Sequence, residues 1–361
     1  MIGLMSGTSM DAIDVAVLRT DGESLIEPGP SGEFVYQPSE RQAVRASLRR
    51  PDPSAEAVEA VTAAHIRAIA SFLQMHPDAA RSVDLVGFHG QTTFHDPEKR
   101  LTVQIGDAQR IADHFGLPVV ADFRTADVAA GGQGAPFAPL YHRALSAGIE
   151  RPFCVLNLGG VGNVTWIGEG DAILAFDTGP ANAQLDDLML SRTGRSFDKD
   201  GQLARIGQPD MSVVESALRA SYLSRVPPKS LDRNDFDVRP SEADSLENQL
   251  ATLLEFVVET VAASREHFPE QPVGWVVTGG GRKNAYLMER LAARLEAPVE
   301  PAEAAGWNGD ALEAQCFAWL AVRSERGLPL SLPETTGVPA PMPGGRTVQP
   351  AMLSARRRST Y

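Results

Sequence analysis

The clearest alternation of apolar and polar positions opens the chain. Two apolar runs, Ile2–Met5 and Ile13–Leu18, flank a short loop of small polar residues. This pattern predicts a β-hairpin whose turn is rich in N–H groups and hydroxyls, which suits a phosphate. Two nearby carboxylates, Asp11 and Asp14, would suit a phosphate that carries Mg²⁺. This stretch alone leaves open an ordinary hairpin with a serine- and threonine-rich turn.

The same architecture recurs near the middle of the chain. Apolar runs there flank Asn157, three glycines that include Gly159 and Gly160, and Asn163, which predicts a second hairpin of the phosphate type. A predicted strand over 172–176 then delivers Asp177, and a carboxylate at a strand end is a candidate general base. A hydrogen bond from Asp177 to its own Gly-Pro turn is the alternative.

Two further strands are predicted at 83–88 and 118–121, and polar side chains follow each of them. Open α/β sheets bind ligands beyond the carboxyl ends of their strands. The first strand runs into His89, Gln91 and Thr92, which suit a hydroxylated ligand better than a metal because no carboxylate or cysteine follows at a ligand spacing. Arg124 follows the second strand, either as an anion clamp or as half of a structural ion pair.

Helical spacing predicts a helix capped by Ser54 that ends near Met75, and a short helix over 108–115. The Pro-rich, charged stretch 227–236 predicts a loop. Farther on, a strand over 274–278 leads into three glycines and a helix, where a flat ring can lie against the backbone and an anion near the helix N-terminus. These glycines are Gly279, Gly280 and Gly281.

A last helix is predicted from 307–310 to Gly327, and Glu313 lies in its first turn. Favourable interaction with the helix dipole is the simpler interpretation of this carboxylate. The glycine-rich run 131–136 is the natural domain boundary. We therefore expect domains at 1–133 and 134–361, with the C-terminal segment able to pack back on the first.

Composition limits the kinds of molecule that the protein is expected to bind and the compartment in which it is expected to occur. The 361 residues carry a net charge of −13, which argues against binding to nucleic acid or to an anionic membrane. No stretch approaches the 18 or so apolar residues of a transmembrane helix, and Met1 leads almost directly into a strand rather than a signal peptide. The two cysteines, Cys154 and Cys316, fit buried thiols in a reducing compartment, which predicts a cytoplasmic protein.

The motifs in their order resemble the anhydro-N-acetylmuramic acid kinase family of the actin and sugar-kinase superfamily. Any one motif is weak, whereas eight in order are specific. They are Met5-Ser-Gly-Thr-Ser-Met-Asp11, His89-Gly-Gln-Thr92, Ala121-Asp-Phe-Arg124, Gly131-Gly-Gln-Gly-Ala-Pro136, Asn157-Leu-Gly-Gly160, Phe176-Asp-Thr-Gly-Pro180, Thr278-Gly-Gly-Gly281 and Asp310-Ala-Leu-Glu-Ala-Gln315.

The resemblance implies an α/β fold of two RNase H-like domains with ATP and sugar in an interdomain cleft. The implied reaction opens the 1,6-anhydro ring of anhydro-N-acetylmuramic acid with water and phosphorylates O6, with Mg²⁺ carried by ATP rather than by protein ligands. Asp177 matches the family's base, and Glu313 matches a carboxylate that contacts the sugar. The implied ATP-binding segment is Gly7, Thr8, Ser9, Met10, Asp11, Ala12, Ile13 and Asp14.

Two positions depart from the family pattern, since Ala12 and Ala181 stand where glycine is usual. Alanine is the smallest change, so neither argues for lost activity. Another sugar or acid kinase is an alternative, although the Asp-Phe-Arg and Asp-Ala-Leu-Glu motifs argue against it. A nucleotide-driven switch without a small acceptor is the alternative from another class. The sequence leaves open a homodimer.

Overall fold

The computed structural model describes residues 1–7, 10, 12–219, 222–231 and 238–351. The chain divides into two compact units: Met1–Leu145 together with the residues from Ala311 onward, and Ser146–Asp310. Each unit has its own sheet and its own hydrophobic core.

The described strands, in chain order, are β1 (Ile2–Ser6), β2 (Ala12–Thr20), β3 (Ile26–Val35), β4 (Val86–Phe88), β5 (Gln91–Asp96), β6 (Leu101–Ile105), β7 (Val119–Ala121), β8 (Phe153–Leu158), β9 (Val161–Ile167), β10 (Ile173–Pro180), β11 (Trp275–Thr278), β12 (Val299–Pro301) and β13 (Arg346–Val348). The described α-helices are α1 (Pro38–Ala46), α2 (Ala55–Met75), α3 (Pro77–Ser82), α4 (Ala108–Phe115), α5 (Thr125–Ala129), α6 (Pro139–Leu145), α7 (Asn182–Thr193), α8 (Gln202–Ile206), α9 (Met211–Leu218), α10 (Leu246–Ser264), α11 (Ala285–Leu295), α12 (Leu312–Glu325) and α13 (Pro333–Thr336).

The two main sheets repeat one strand order. In the first unit β3, β2 and β1 are antiparallel neighbours, β4 and β7 continue in parallel with β1, and β13 pairs antiparallel with β7. In the second unit β10, β9 and β8 are antiparallel, and β11 and β12 continue in parallel. This shared order is that of the RNase H-like fold. The predicted α/β fold class with two RNase H-like units is therefore confirmed.

Both predicted hairpins form, and the helix predicted from Ser54 is α2. The Oγ of Ser54 accepts the N–H of Ala57 at 3.1 Å, which caps the first turn. Strand β3 begins at Ile26, in a stretch that carries two prolines. These prolines are tolerated because β3 is an edge strand.

Strand β10 continues past the end predicted for it. A β-bulge between Asp177 and Gly179 keeps the strand paired with β9 as far as Pro180. The Gly-Pro pair, which indicated a turn, is instead accommodated by the bulge. Asp177 therefore lies inside a paired strand rather than at a strand end.

The division between the units differs from the boundary predicted at 133/134, because residues 134–145 belong to the first unit. The residues from Ala311 onward also belong to it, an arrangement that the expected domains allowed for the C-terminal segment. The N–H of Gly134 donates to Asp127 Oδ1 at 2.7 Å. The preceding residue, Gln133, donates its N–H to Thr336 O at 2.6 Å. These bonds hold the glycine-rich run inside the first unit.

Helix α12 packs across β1, β2 and β4 of the first unit. A Cβ atom at Gly3 on β1 would lie 1.8 Å from the carbonyl oxygen of Ala314. A Cβ atom at Gly87 on β4 would lie 2.3 Å from that of Phe317. The two glycines thus allow the backbone of the helix to approach the sheet directly.

Buried histidines are a second feature of the first unit. His65 is fully buried on α2, where its Nδ1 donates to Val61 O at 2.7 Å and its ring packs on Phe88. Burial lowers the pKa of His65 to about 4. His142, also buried, has its pKa lowered to about 3 by the same cause.

We expect the free energy of unfolding to fall as the pH is lowered from 7 to 5. The pKa of His65 in the folded protein lies below its ordinary value of 6.5. The contribution of His65 to the free energy of unfolding is therefore complete above pH 6.5 and is lost as the pH falls towards 4. At pH 5 this residue alone should cost about 2 kcal/mol. Urea titrations at both pH values would measure the loss, which His65→Leu should reduce. An equal loss in His65→Leu and in the exposed-site control His114→Leu would contradict this account.

Candidate active site

The turn of the first hairpin is described at Gly7 and Met10. The N–H of Met10 donates to Gly7 O at 3.1 Å, and Met10 takes a φ of 55°. Three residues of the predicted ATP-binding segment follow at the start of β2: Ala12, Ile13 and Asp14. The remaining three lie outside the described residues: Thr8, Ser9 and Asp11.

Gln91, on β5, is hydrogen-bonded to this hairpin. Its Oε1 accepts the hydroxyl of Ser6 at 2.6 Å, and its Nε2 donates to Gly7 O at 3.3 Å. The side chain is fully buried. Although Gln91 was predicted as a sugar ligand, its described bonds position the phosphate-type turn.

His89 and Arg124 lie close together just past the C-terminal ends of β4 and β7. The Nδ1 of His89 donates to Gly90 O at 2.8 Å, so its Nε2 is the acceptor for Arg124 Nε at 3.0 Å. Burial and the neighbouring guanidinium hold the pKa of His89 well below its usual range. Arg124 also donates through Nη1 to Gly134 O at 2.6 Å. A neutral imidazole and a carbonyl thus fix the orientation of the cation.

The other predicted sugar ligands lie on neighbouring elements of the first unit. Thr92 is half-buried on β5, where its hydroxyl accepts from Gln104 Nε2 at 3.3 Å. Glu313 is exposed in the first turn of α12. One turn farther along α12, the ring of Phe317 packs on His89 with centroids 4.6 Å apart. Since side chains four apart share a helix face, Glu313 lies on the face of α12 that meets His89.

In the second unit the predicted nucleotide residues meet at the ends of β8 and β11. A Cβ atom at Gly279 would lie 2.4 Å from Asn157 Oδ1 and 2.7 Å from Leu158 O. A Cβ atom at Gly281 would lie 2.6 Å from the Cβ of Leu158. The turn after β8 and the turn after β11 are therefore adjacent. These two turns and the end of β8 contain the predicted residues Asn157, Gly159, Gly160, Gly279, Gly280 and Gly281.

Two residues that the sequence interpretation missed support these turns. Asn182 donates its N–H to Gly159 O at 2.9 Å and its Nδ2 to Leu158 O at 2.7 Å. Arg282 donates through Nη1 to Gly279 O at 2.9 Å and pairs with Glu303 at 2.8 Å. The sequence signal that could have identified them is their position, since Asn182 directly follows the Gly-Pro-Ala motif and Arg282 directly follows the triple glycine.

A row of polar residues crosses the second sheet beside these turns. Asp177 on β10 is opposite Asn163 on β9, Asn163 is opposite Asn157 on β8, and Asn157 is opposite Thr278 on β11. Residues that are directly opposite in a sheet project from the same face. The row therefore places the candidate base on the same face as Asn157, next to the glycine turns. Asn163 was not among the predicted site residues.

Asp177 is 7% exposed, and its described partners are remote in sequence. Its Oδ2 accepts the N–H of Leu231 at 2.7 Å. Its own N–H donates to Lys229 O at 3.0 Å, and its carbonyl accepts the hydroxyl of Tyr222 at 2.8 Å. A neighbouring segment thus orients Asp177, which differs from the alternative of a carboxylate bonded to its own turn.

Two smaller predictions concern cysteines and membranes. Cys154 and Cys316 are both buried free thiols, as predicted. Within the described part of the chain, no helix combines the length and the apolar character needed to cross a membrane.

Comparison with known proteins identifies the family. A family model described as anhydro-N-acetylmuramic acid kinase matches residues 1–348. A relative of that name from Paramagnetospirillum magneticum is 50% identical over 348 residues, which cover 96% of this chain and 98% of the relative. One from Nitrobacter winogradskyi is 49% identical over 362 residues, covering 97% and 99%. A solved ROK family glucokinase from Streptomyces griseus is 14% identical, with a TM-score of 0.44 over 88% of this chain and 98% of that one.

The family match spans nearly the whole chain, and each of the two relatives is aligned over almost all of its length. The chain therefore belongs to the anhydro-N-acetylmuramic acid kinase family.

Proposed function

We propose that this kinase converts 1,6-anhydro-N-acetylmuramic acid, ATP and water into N-acetylmuramic acid 6-phosphate and ADP, a step of cell-wall recycling. Water adds to C1 as the bond from C1 to the 6-oxygen breaks, and that oxygen receives the γ-phosphoryl group. The family match over residues 1–348 is the observation that carries the proposal.

Asp177 is the proposed general base that takes a proton from the attacking water. A base must hold its carboxylate in one orientation near the reacting atoms. The burial of Asp177 and the Leu231 N–H on its Oδ2 support such an orientation. Its place on the sheet face next to the glycine turns puts it on the side where the phosphates are proposed to lie.

The nucleotide is assigned to the two adjacent glycine turns of the second unit and to the hairpin segment from Gly7 to Asp14. Glycine turns bind phosphate through backbone N–H groups because no side chain blocks the approach. At Gly279 the close approach of Asn157 and Leu158 leaves no room for a Cβ atom. The shape of the turn therefore depends on glycine at this position.

The sugar is assigned to Thr92, Arg124 and Glu313, while the buried His89 and Gln91 support this site through their bonds to Arg124 and to the hairpin turn. The guanidinium of Arg124 suits the lactyl carboxylate of a muramic acid, because such pairs form charge-assisted hydrogen bonds. The neutral His89 bonded to Arg124 Nε supports this role by fixing the plane of the guanidinium. Glu313 would accept a hydrogen bond from the free hydroxyl of the sugar or from its acetamido N–H.

Mg²⁺ enters this proposal bound to the β- and γ-phosphates of ATP, where it neutralises their charge during transfer. Among the residues that the structure describes, no group of three or more His, Cys, Asp or Glu side chains is arranged to hold a metal. We place the reaction in the cytoplasm. A homodimer stays a prediction.

The test is ADP release by the purified protein with ATP, Mg²⁺ and the anhydro-sugar. We expect release only with the sugar, and a product heavier by one water and one phosphoryl group. In ¹⁸O-labelled water the label should appear at C1 and not in the phosphate. Ring-opened N-acetylmuramic acid is the matched control acceptor. Release without any acceptor would instead support a nucleotide-driven switch, and release with unrelated sugars another sugar kinase.

A further inference from the structure

Lys229 is a buried lysine beside Asp177 whose role is not accounted for by the reaction. Its side chain is 6% exposed. The ammonium donates to Leu223 O at 2.9 Å and to Tyr222 O at 3.2 Å, and it lies 3.3 Å from His267 Nε2. His267 Nε2 also lies 3.3 Å from Leu223 O, so the tautomer of His267 decides whether Nε2 accepts from the ammonium or donates to that carbonyl.

Two aromatic rings enclose the same cation. Its Nζ lies 4.8 Å from the centre of the Tyr222 ring and 5.5 Å from that of Phe176. Phe176 directly precedes Asp177 on β10. The cation therefore joins the segment 222–231 to the strand that carries the proposed base. Burying a charge costs free energy, so the buried ammonium of Lys229 indicates a role that offsets this cost.

The segment 222–231 contacts Asp177 at three separate groups. Lys229 O accepts the N–H of Asp177, Tyr222 donates its hydroxyl to the Asp177 carbonyl, and Leu231 donates its N–H to Oδ2. Lys229 bonds the two ends of this segment to each other, since its side chain reaches back to residues 222 and 223. These bonds add to the main-chain and Tyr222 contacts that hold the Leu231 N–H against the carboxylate.

We propose that Lys229 is a positioning residue for Asp177, which it orients by holding the segment 222–231 against β10. The proposal rests on the proposed role of Asp177 as the base. Lys229 itself takes no proton from the substrate. Its effect on the reaction passes through the Leu231 N–H and the orientation of the carboxylate.

The charge on Lys229 gives the proposal a pH-dependent consequence. Burial and the nearby Arg225 lower the pKa of Lys229 to about 8, while Asp177 acts in the opposite direction. The facing groups are Asp177 on β10, Tyr222 and Arg225 on the segment itself, and His267 after α10. Burial and Lys229 lower the pKa of His267. The ammonium therefore predominates at pH 7, and its bonds weaken as the pH rises through 8.

The experiment compares kcat and KM of Lys229→Met with those of the wild type and of Lys199→Met, an exposed lysine of the same unit. We expect kcat of Lys229→Met to fall about 10- to 100-fold, because small errors in the placement of a reacting group have effects of this size. The KM for ATP should change by less than about twofold, since the glycine turns are untouched. Thermal unfolding would verify that the variant is folded.

Coupling to Asp177 separates positioning from general damage. If Lys229 acts through Asp177, the double variant Lys229→Met with Asp177→Asn should be no more than about twofold slower than Asp177→Asn alone. A further loss as large as in the single Lys229→Met variant would overturn the proposal. A folded Lys229→Met with wild-type kcat would do so too. Wild-type kcat in Asp177→Asn would overturn the base assignment itself.

Lys229→Arg supplies the second variant, because a guanidinium keeps the donors and stays charged. Wild-type kcat should decline above pH 8, whereas kcat of Lys229→Arg should not. If Lys229→Met does not fold, the pH dependence of kcat in the wild type and in Lys229→Arg tests the proposal by itself. An arginine variant that declines above pH 8 as the wild type does would overturn the proposal.

Discussion

Asp177→Asn is expected to lower kcat by about 10²- to 10⁴-fold, the usual cost of losing a general base. The amide keeps the shape of the carboxylate and can still accept the Leu231 N–H on its oxygen, but it cannot take a proton from water. Sugar binding should therefore persist. Steady-state ADP release would measure kcat, and isothermal titration with the anhydro-sugar in the absence of ATP would measure affinity.

A matched control for this substitution lies in the same unit. Asp198 is also buried, and its carboxylate accepts the N–H groups of Leu203 and Ala204 at 3.0–3.1 Å. Asp198→Asn makes the same chemical change away from the proposed chemistry and should leave kcat within about twofold. Turnover of Asp177→Asn equal to that of Asp198→Asn would mean that the base is another group.

Gly3→Ala is expected to destabilise the first unit by about 3 kcal/mol or more, at the upper end of overpacking effects. The added carbon would lie 1.8 Å from Ala314 O, so α12 must move away from β1. The obstacle is backbone, which cannot rotate aside as a side chain can. Urea unfolding would measure the loss of stability, and Gly87→Ala on β4 should behave alike.

Gly32→Ala on β3 is the control for this prediction. A Cβ atom there would meet only side-chain atoms, the nearest in the Phe34 ring at 3.3 Å. Its cost should stay within about 1 kcal/mol, the usual range of strand propensities. If Gly3→Ala were no less stable than Gly32→Ala, the close packing of α12 on the sheet would be contradicted.

Elements determined by their own residues were predictable from the sequence. Ser54 and the helical spacing after it gave α2, and the short helix predicted over 108–115 is α4 with the same bounds. The hairpins followed from apolar runs around a polar turn. In each case the residues that determine the element are neighbours in sequence.

Features that depend on remote partners were not predictable. The bulge that extends β10 beyond Asp177 is stabilised by pairing with β9, which outweighs the local preference of Gly-Pro for a turn. Arg282 stands next to the triple glycine, yet its partner Glu303 is 21 positions away. Lys229 lies in a Pro-rich, charged stretch that indicated an exposed loop, and only the carbonyls and rings around it explain its burial.

The placement of α12 has a consequence for the order in which the two units fold during synthesis. Strands β1 and β4 emerge early from the ribosome, but the helix that covers them follows the whole of Ser146–Asp310. The second unit is continuous in sequence and can complete its sheet as soon as it has emerged. The first unit must keep an apolar sheet face uncovered until then and close a long loop. During synthesis we therefore expect chaperones to bind the early strands, and the inserted unit to reach its native state first.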